Sequence, residues 1–376
     1  MNLFDVYPLF DITPVRAQDC YVWDAQGRKY LDLYGGHAVI SIGHSHPHYV
    51  DRVAGQLQKI GFYSNSVKNL MQEELAAKLG EMSGLADYSL FLCNSGAEAN
   101  ENALKLASFH TGRRKVIAFS KGFHGRTSAA VAATDNASIV APVNAGHQVV
   151  ILPLNNLNVV EDALQEGDVA AVIIEGIQGI GGIIVPDAGF LENLEGLCKK
   201  YGAVLILDEI QSGYGRSGKF FAYQYSKAQP DIVTVAKGMG NGFPVGGVLI
   251  APHFKPRHGM LGTTFGGNYL ACAASLAVLE VMEKENLINN AHAIGNYLMD
   301  EISNKFRIND VRGKGLMIGL EFDEKIQEVR KQLLNEKCIF TGVSGQHVIR
   351  LLPPLTLSKE MADNFIASLK DVSESS

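Results

Sequence analysis

The chain has 376 residues and a mass of 40.7 kDa, which is long for one simple core and predicts two domains at the usual ~100–200 residues each. Its formal net charge of −6 and isoelectric point near 6.0 argue against a general attraction to nucleic acid or to an anionic membrane. Small-molecule chemistry is the class of function that remains.

The cysteine content and the amino-terminal sequence bear on metal binding and on the cellular location. The cysteines are odd in number, widely spaced and without a CxxC pair, so they predict reduced core thiols and no zinc or other metal site. The amino-terminal segment has no basic region followed by a long apolar region, and no stretch approaches about 18 uninterrupted apolar residues. We therefore expect a cytoplasmic protein that does not contact a membrane.

The first predicted element is a hairpin. Residues 20 to 34 alternate apolar and polar side chains around a Gln-Gly turn, which predicts a small amino-terminal sheet with one exposed face. From about residue 70 the period changes, and a helix, a strand and a second helix are predicted by "LMQEELAAKLGEMSG", "YSLFLCN" and "EANENALKLASFHTG". Strand and helix begin to alternate here.

Nearly continuous apolar runs then indicate a parallel sheet that is covered on both faces. The runs are "KVIAFS", "HQVVILPL", "VAAVIIEGI", "AVLILDEI" and "DIVTVAK", and "PVGGVLIA" predicts another strand. A long helical stretch follows, "FGGNYLACAASLAVLEVMEKENL", and the rest of the chain is shorter βα and β material. The pattern predicts an α/β protein with a second domain near the carboxyl terminus.

Two of the apolar runs end in reactive side chains, Asp208 and Lys237. A carboxylate after one strand can pair with the pyridinium nitrogen of a cofactor, and a lysine after a neighbouring strand can form a Schiff base with its aldehyde. The pair predicts a pyridoxal phosphate enzyme with Lys237 as its catalytic residue. Taken singly, Asp208 is equally well explained as a helix N-cap and Lys237 as a solvated loop lysine.

A third pattern passes from a strand through Ser95, Gly96 and Ala97 into a helix. Free backbone N–H groups and the positive end of the helix dipole meet at such a turn, so it is typical of an anion site. An ordinary turn capped by Ser95 or Asn94 is the alternative. The turn lacks the three-glycine spacing of a dinucleotide site, and "GIQGIGG" is not followed directly by a helix, which argues against NAD.

Taken together, the motifs resemble those of the class III, fold type I pyridoxal phosphate aminotransferases, especially the acetylornithine aminotransferases. The matching segments span nearly the whole chain and read "GGHAVISIGHSHP", "CNSGAEANENALKLA", "FHGRT", "LDEIQSGYGRSGKFFA", "AKGMGNGFPVGG" and "GTTFGGNYLACA". The resemblance implies a mostly parallel seven-stranded sheet in a large domain, residues 46–285. It also implies a smaller α+β domain built from both termini, residues 1–45 and 286–376.

The resemblance also implies roles for individual residues. Thr264 matches a threonine that reaches the phosphate of the neighbouring subunit's cofactor, which implies a homodimer with active sites at the subunit interface. Arg126 matches the arginine that binds the substrate carboxylate, a role that suits its planar fork of donors. Positions assigned to the cofactor are Ser95, Gly96 and Ala97 at the phosphate, Phe123 and Ile210 on the ring faces, His124, Glu175, Asp208 at the ring nitrogen, Gln211 near the ring hydroxyl, Lys237 and Thr264.

Two positions depart from the family pattern. Ile180 stands where members that use glutamate as amino donor commonly have a glutamate, which in ornithine aminotransferases pairs with a second arginine, matched here by Arg350. We expect Arg350 to remain able to bind an acid. His37 replaces an apolar residue or a tyrosine, so His37 and Ile180 could adapt the pocket to an acidic N-acyl group such as succinyl. A hydrogen bond from His37 to nearby backbone would explain this histidine equally well. Tyr63 resembles the residue of the ornithine aminotransferases.

The implied activity is transfer of the δ-amino group of N2-acetyl-L-ornithine to 2-oxoglutarate, which gives N-acetylglutamate 5-semialdehyde and glutamate in arginine biosynthesis. Arg126, Arg350, His37 and Tyr63 are the predicted substrate contacts. Succinylornithine or free ornithine as the donor stays open. Two other classes stay open as well, a pyridoxal phosphate aminomutase and a cofactor-binding protein without catalysis.

Overall fold

The structure is a computed structural model that describes residues 1–374. Ser375 and Ser376, the last residues of the predicted carboxy-terminal segment, lie outside the described residues. The strands are β1 (Pro14–Gln18), β2 (Tyr21–Asp24), β3 (Lys29–Asp32), β4 (Ser89–Cys93), β5 (Lys115–Phe119), β6 (Val149–Leu152), β7 (Val169–Glu175), β8 (Val204–Asp208), β9 (Ile232–Val235), β10 (Gly246–Ile250), β11 (Asp310–Lys314), β12 (Met317–Glu321), β13 (Ile339–Phe340), β14 (Gly342–Ser344) and β15 (Val348–Leu351).

The helices lie mainly between and after the strands of the central sheet. They are α1 (Gly35–Ala38), α2 (Pro47–Leu57), α3 (Leu70–Ser83), α4 (Gly96–Thr111), α5 (Ser128–Ala132), α6 (Leu157–Gln165), α7 (Phe190–Tyr201), α8 (Tyr269–Lys284), α9 (Leu287–Lys305), α10 (Gln327–Asn335) and α11 (Lys359–Glu374). Within residues 1–374, no helix combines the length and apolar character needed to cross a membrane.

The central sheet has seven strands in the order β4-β10-β9-β8-β7-β5-β6, and β10 is its antiparallel member. Every residue of β7 and of β8 is buried, as their unbroken apolar runs predict for strands covered on both faces. The predicted mostly parallel α/β sheet is confirmed. The predicted hairpin is confirmed too, since β2 and β3 pair antiparallel through Tyr21 and Leu31.

Two smaller sheets use the ends of the chain. One has the order β1-β2-β3-β13, so a strand from the carboxy-terminal part pairs with the amino-terminal hairpin through Leu31 and Ile339. The other has the order β11-β12-β15-β14. The two ends of the chain are therefore joined by backbone hydrogen bonds, although the exact domain boundaries remain a prediction.

The sheet register brings the ends of three central strands together. Glu175 of β7 lies beside Asp208 of β8, and Asp208 lies beside Thr234 of β9. Lys237 follows three residues after Thr234 and opens a short 3-10 turn, Lys237–Met239. The carboxyl ends of parallel strands are where open α/β sheets bind their ligands, so these residues share that edge.

Arg216 ties three distant segments together in the interior. Its guanidinium is 2% exposed and donates to the carbonyl oxygens of Leu316 (3.3 Å), Ile40 (3.2 Å) and Pro353. Burial lowers the pKa of Arg216 to about 10, so the side chain remains charged near neutral pH. These hydrogen bonds connect the segment after β8 to the segment after α1, to the turn between β11 and β12 and to the segment after β15.

We predict that Arg216→Met lowers the free energy of unfolding by about 3 kcal/mol or more, because three buried carbonyls lose a charged donor. Urea unfolding of the cofactor-free protein measures this change. Arg114→Met is the matched control, since the Arg114 side chain is 75% exposed and its ion pair with Asp168 spans 3.7 Å. The control should change stability by less than about 0.5 kcal/mol. Equal effects of the two changes would contradict the structural role of Arg216.

Candidate active site

A cavity of about 370 Å³ opens at the carboxyl edge of the central sheet. It is lined by side chains from several turns that follow strands, which is how this fold gathers chemical groups from distant parts of the sequence. Eleven of the predicted site residues line it: Ser95, Gly96, Ala97, Phe123, His124, Arg126, Glu175, Asp208, Ile210, Gln211 and Lys237.

Asp208 lies at the floor of this cavity with its carboxylate almost fully buried. Its Oδ2 accepts hydrogen bonds from His124 Nδ1 and from Asn100 Nδ2, both at 2.8 Å. Its Oδ1 accepts one from the backbone N–H of Ile210 at 3.1 Å. Three donors around a buried carboxylate stabilise its anionic form, as pairing with a cationic ring nitrogen requires.

His124 and Glu175 extend this buried polar group. Burial acts to lower the pKa of His124, but the hydrogen bond to Asp208 and the charges of Asp208 and Glu175 together outweigh it, so the pKa is raised overall. Glu175 accepts the backbone N–H groups of Phe123 (3.0 Å) and Gly179 (2.9 Å). Burial raises the pKa of Glu175 to about 7, so this carboxyl is poised to change protonation near neutral pH.

Lys237 meets the predicted requirement for a reactive amine. Burial lowers the pKa of Lys237 and the charge of Arg350 lowers it further, whereas Asp208 and Glu175 act in the opposite direction without reversing the shift. A lowered pKa increases the share of neutral amine, which is the nucleophilic form. The backbone of Lys237 is left-handed, with φ of +47°, a conformation that is costly for a residue with a Cβ and that recurs at functional sites.

The phosphate end is formed by the start of α4. The Ser95 hydroxyl caps the helix by accepting from the Glu98 N–H at 3.2 Å, and within residues 1–374 no acceptor takes the amide hydrogens of Gly96 and Ala97. A Cβ on Gly96 would come within 2.8 Å of the Ile210 side chain, so glycine is required for this close packing. The first turn of the helix is thus open to an anion.

These groups fit pyridoxal 5′-phosphate. The amides of Gly96 and Ala97 suit the phosphate, the Asp208 carboxylate suits the ring nitrogen, and the Lys237 amine suits the aldehyde. The Oε1 atom of Gln211 is buried and lacks a hydrogen-bond partner in the described part of the chain, which suits the ring hydroxyl. A buried acceptor without a donor is unfavourable, and the ring hydroxyl of the cofactor would supply the missing donor.

Two predicted substrate arginines have different surroundings. Arg126 is exposed at the cavity, and no hydrogen bond or ion pair restrains its guanidinium among the described residues. Arg350 is buried in β15 and donates to the carbonyl oxygens of Val343 (2.9 Å) and Gly179 (3.1 Å). No carboxylate within residues 1–374 forms an ion pair with Arg350, as the isoleucine at position 180 led us to expect.

His37 lies next to these groups, and two other predicted residues do not. The carbonyl of His37 accepts from Gln211 Nε2 at 3.3 Å, and its ring packs on Tyr34 with centroids 4.6 Å apart. Burial lowers the pKa of His37, as do the charges of Arg350 and Lys237. Tyr63 and Thr264 are exposed and do not line the cavity of their own chain.

The sequence analysis missed Asn100 and Thr234. Asn100 is fully buried in α4, and its Oδ1 accepts from the Thr234 hydroxyl at 2.8 Å. The available signal was an asparagine at a position of α4 whose neighbours at the same helical spacing, Ala103 and Leu104, are apolar. A polar side chain on the buried face of a helix needs partners, and here the partner is the carboxylate of Asp208.

Comparison with known proteins identifies relatives over nearly the whole chain. The family model described as "Aminotransferase class-III" matches residues 5–372. Acetylornithine aminotransferase of Bacillus subtilis is 41% identical over 98% of this chain and 97% of its own length, and that of Bacillus cereus is 40% identical over 99% and 97%. The crystal structure of ornithine aminotransferase from Toxoplasma gondii superposes with a TM-score of 0.92 at 28% identity, over 98% of this chain and 93% of that chain.

The reactivity of Lys237 gives a direct test. We predict that borohydride reduction of the protein loaded with pyridoxal 5′-phosphate attaches the cofactor irreversibly to the peptide that contains Lys237. Mass spectrometry of the digested protein locates the attachment. Lys237→Met should abolish it, whereas Lys115→Met should not, because Lys115 lies at the start of β5 and pairs with Glu166. Attachment at another lysine in the wild type would contradict the assignment.

Proposed function

The chain belongs to the class III aminotransferases, and from this premise we propose that it transfers the δ-amino group of N2-acetyl-L-ornithine to 2-oxoglutarate. The products are N-acetylglutamate 5-semialdehyde and glutamate, a step of arginine biosynthesis. The observation that carries the proposal is one cavity that contains the Lys237 amine, the Asp208 carboxylate and the free guanidinium of Arg126. The names of the Bacillus relatives support the choice of donor.

When bound, pyridoxal 5′-phosphate supplies an aldehyde that exchanges amino groups and a cationic ring that withdraws electrons from the carbon that loses its proton. Asp208 keeps that ring cationic, and the first turn of α4 holds the phosphate. Lys237 acts as the base that removes a proton from the δ-carbon of the donor, because its lowered pKa leaves the amine partly neutral.

Arg126 binds the α-carboxylate of the donor and later a carboxylate of the 2-oxo acid. A guanidinium without a protein partner pays no cost for breaking an ion pair when the substrate arrives, and two parallel hydrogen bonds fix the orientation of the acid. Phe123 and Ile210 line the same cavity, and they would enclose the cofactor ring and exclude water from it. Phe123 is held there by the bond of its N–H to Glu175.

The proposed assembly is a homodimer with active sites at the subunit interface. Thr264 and Tyr63 lie on two exposed segments that touch each other, since Asn65 donates to the carbonyls of Thr263 (3.3 Å) and Gly266 (3.0 Å). The rings of Phe62 and Phe265 are in contact there and are 44% and 59% exposed. Exposed apolar side chains around two predicted site residues support a subunit interface at this place. A cytoplasmic location is supported by the free cysteines.

A half-reaction tests the transfer itself. We predict that acetylornithine alone removes the visible absorbance of the bound cofactor, and that 2-oxoglutarate restores it, because nitrogen passes to the enzyme and then to an external acid. An aminomutase would turn over its amino substrate without any 2-oxo acid, and a protein that only binds the cofactor would show no change. Either of those results would overturn the proposed function.

N2-succinylornithine is a second candidate donor, because one observation favours an acidic acyl group. Arg350 keeps its charge without a carboxylate partner in the described chain, and Ile180 lines the cavity with an apolar side chain beside the carbonyl of Gly179 that Arg350 binds. The succinyl carboxylate could pair with this arginine. Relative kcat/KM values for acetylornithine, succinylornithine and ornithine distinguish the three donors.

If the acyl group is acidic, we predict that Ile180→Glu lowers kcat/KM for succinylornithine relative to acetylornithine by about tenfold or more, equivalent to about 1.4 kcal/mol. The new carboxylate would compete for Arg350 and repel the succinyl group. Ile180→Gln is the matched control, since it has the same size without the charge, and it should keep the wild-type ratio. His37→Ile tests His37 in the same way. If this variant keeps the wild-type ratio of kcat/KM for succinylornithine to kcat/KM for acetylornithine, His37 does not recognise the acyl group.

A further inference from the structure

Asn100 and Thr234 form a buried hydrogen-bond chain to Asp208. The two amide hydrogens of Asn100 point to Asp208 Oδ2 at 2.8 Å and to the carbonyl of His124 at 2.7 Å. The remaining polar atom, Oδ1, accepts from the Thr234 hydroxyl at 2.8 Å. Both side chains are completely buried, so the amide uses all of its hydrogen-bonding groups without water.

Asn100 and Thr234 link three parts of the cofactor site: the phosphate end, the carboxylate at the ring nitrogen and the reactive lysine. Asn100 follows Gly96 by four residues, so it lies about one helical turn from the phosphate end, on the same side of α4. Thr234 lies beside Asp208 in the sheet and three residues before Lys237. One hydrogen-bond chain therefore joins the helix that faces the phosphate, the carboxylate that faces the ring nitrogen and the strand that leads to the reactive lysine.

We propose that Asn100 and Thr234 are positioning residues that set the orientation of the Asp208 carboxylate toward the ring nitrogen of pyridoxal 5′-phosphate. Oδ2 of Asp208 already has two donors, whereas among residues 1–374 Oδ1 has only the Ile210 N–H, so Oδ1 is the oxygen left for the ring. The inference rests on the pyridoxal phosphate chemistry of the proposed function.

Thr234 contributes by fixing which way the Asn100 amide points. A reversed amide would place its oxygen against the Asp208 carboxylate and the His124 carbonyl, where two acceptors repel each other. The Thr234 hydroxyl donates to the amide oxygen and so favours the observed orientation. Removal of this hydroxyl leaves the amide oxygen buried without a donor, which weakens the preference and loosens the contact with Asp208.

The test uses the matched pair Thr234→Val and Thr234→Ser together with Asn100→Leu. We expect Asn100→Leu to raise the dissociation constant for pyridoxal 5′-phosphate by about 10- to 100-fold, through loss of a hydrogen bond to a charged group. Thr234→Val should raise it about fivefold, and Thr234→Ser, which keeps the hydroxyl, should stay within about twofold of wild type. The ¹⁵N chemical shift of ring-labelled cofactor in the holoenzyme should move toward the unprotonated value in the same order.

Ser275→Ala is the control for loss of a buried hydroxyl, because Ser275 lies in α8, is fully buried and has no hydrogen-bond partner for its hydroxyl in the described part of the chain. It should leave both readouts unchanged. If Thr234→Val and Asn100→Leu lower the melting temperature but leave the ¹⁵N shift and the cofactor affinity as in wild type, the two residues are only structural and the inference is wrong. If both readouts respond while wild type fails to transaminate acetylornithine, the inference stands and the proposed donor is wrong.

Discussion

The negative charge of Asp208 is held in the interior by three donors that come from three separate parts of the chain. Asn100 reaches it from α4, His124 from the turn after β5, and the Ile210 amide from the segment after β8. A carboxylate in this position would be expensive to bury without such donors. The same donors fix its direction, so in the proposed site the ring nitrogen of the cofactor would meet an oriented anion without rearrangement of the protein.

The order of strands in the central sheet makes this arrangement available. Since α4 connects β4 at one edge of the sheet to β5 near the other, the helix must cross the strands between them. It therefore brings its first turn to the phosphate end and Asn100 over the end of β8. The register places Glu175, Asp208 and Thr234 side by side, so charges that are distant in sequence influence one another. The pKa of Lys237 is lowered by burial at this edge, although the neighbouring charges of Asp208 and Glu175 act to raise it.

Much of the fold and of the cofactor site could be predicted from the sequence, because apolar runs that end in Asp208 and Lys237 place both residues at the same edge of a parallel sheet. Asn100 left one signal in the sequence, a polar side chain on the apolar face of α4, but its partners could not be predicted. They depend on how far α4 is rotated and on the register of β9, which places Thr234, and a single sequence does not encode either locally. Gly240 is needed to close the turn after Lys237, because a Cβ there would collide with the carbonyl of Phe243. Thr264 remains a prediction because its role needs a second subunit, and Tyr63 remains one because it does not line the cavity of its own chain.

In the proposed function, the two arginines would divide the recognition of acids between a fixed cation and an unrestrained one. Arg350 is held by two carbonyls in the interior, so it offers its charge at one place and cannot follow substrates of different length. Arg126 is exposed and lacks a partner among the described residues, so its long side chain can adjust to a donor and to a 2-oxo acid in turn. Both cations attract acids in general, so in the proposed function we expect uncharged side chains near the site to discriminate between donors. Ile180 lines the cavity and the His37 carbonyl accepts a hydrogen bond from Gln211, and neither side chain cancels the charge of Arg350.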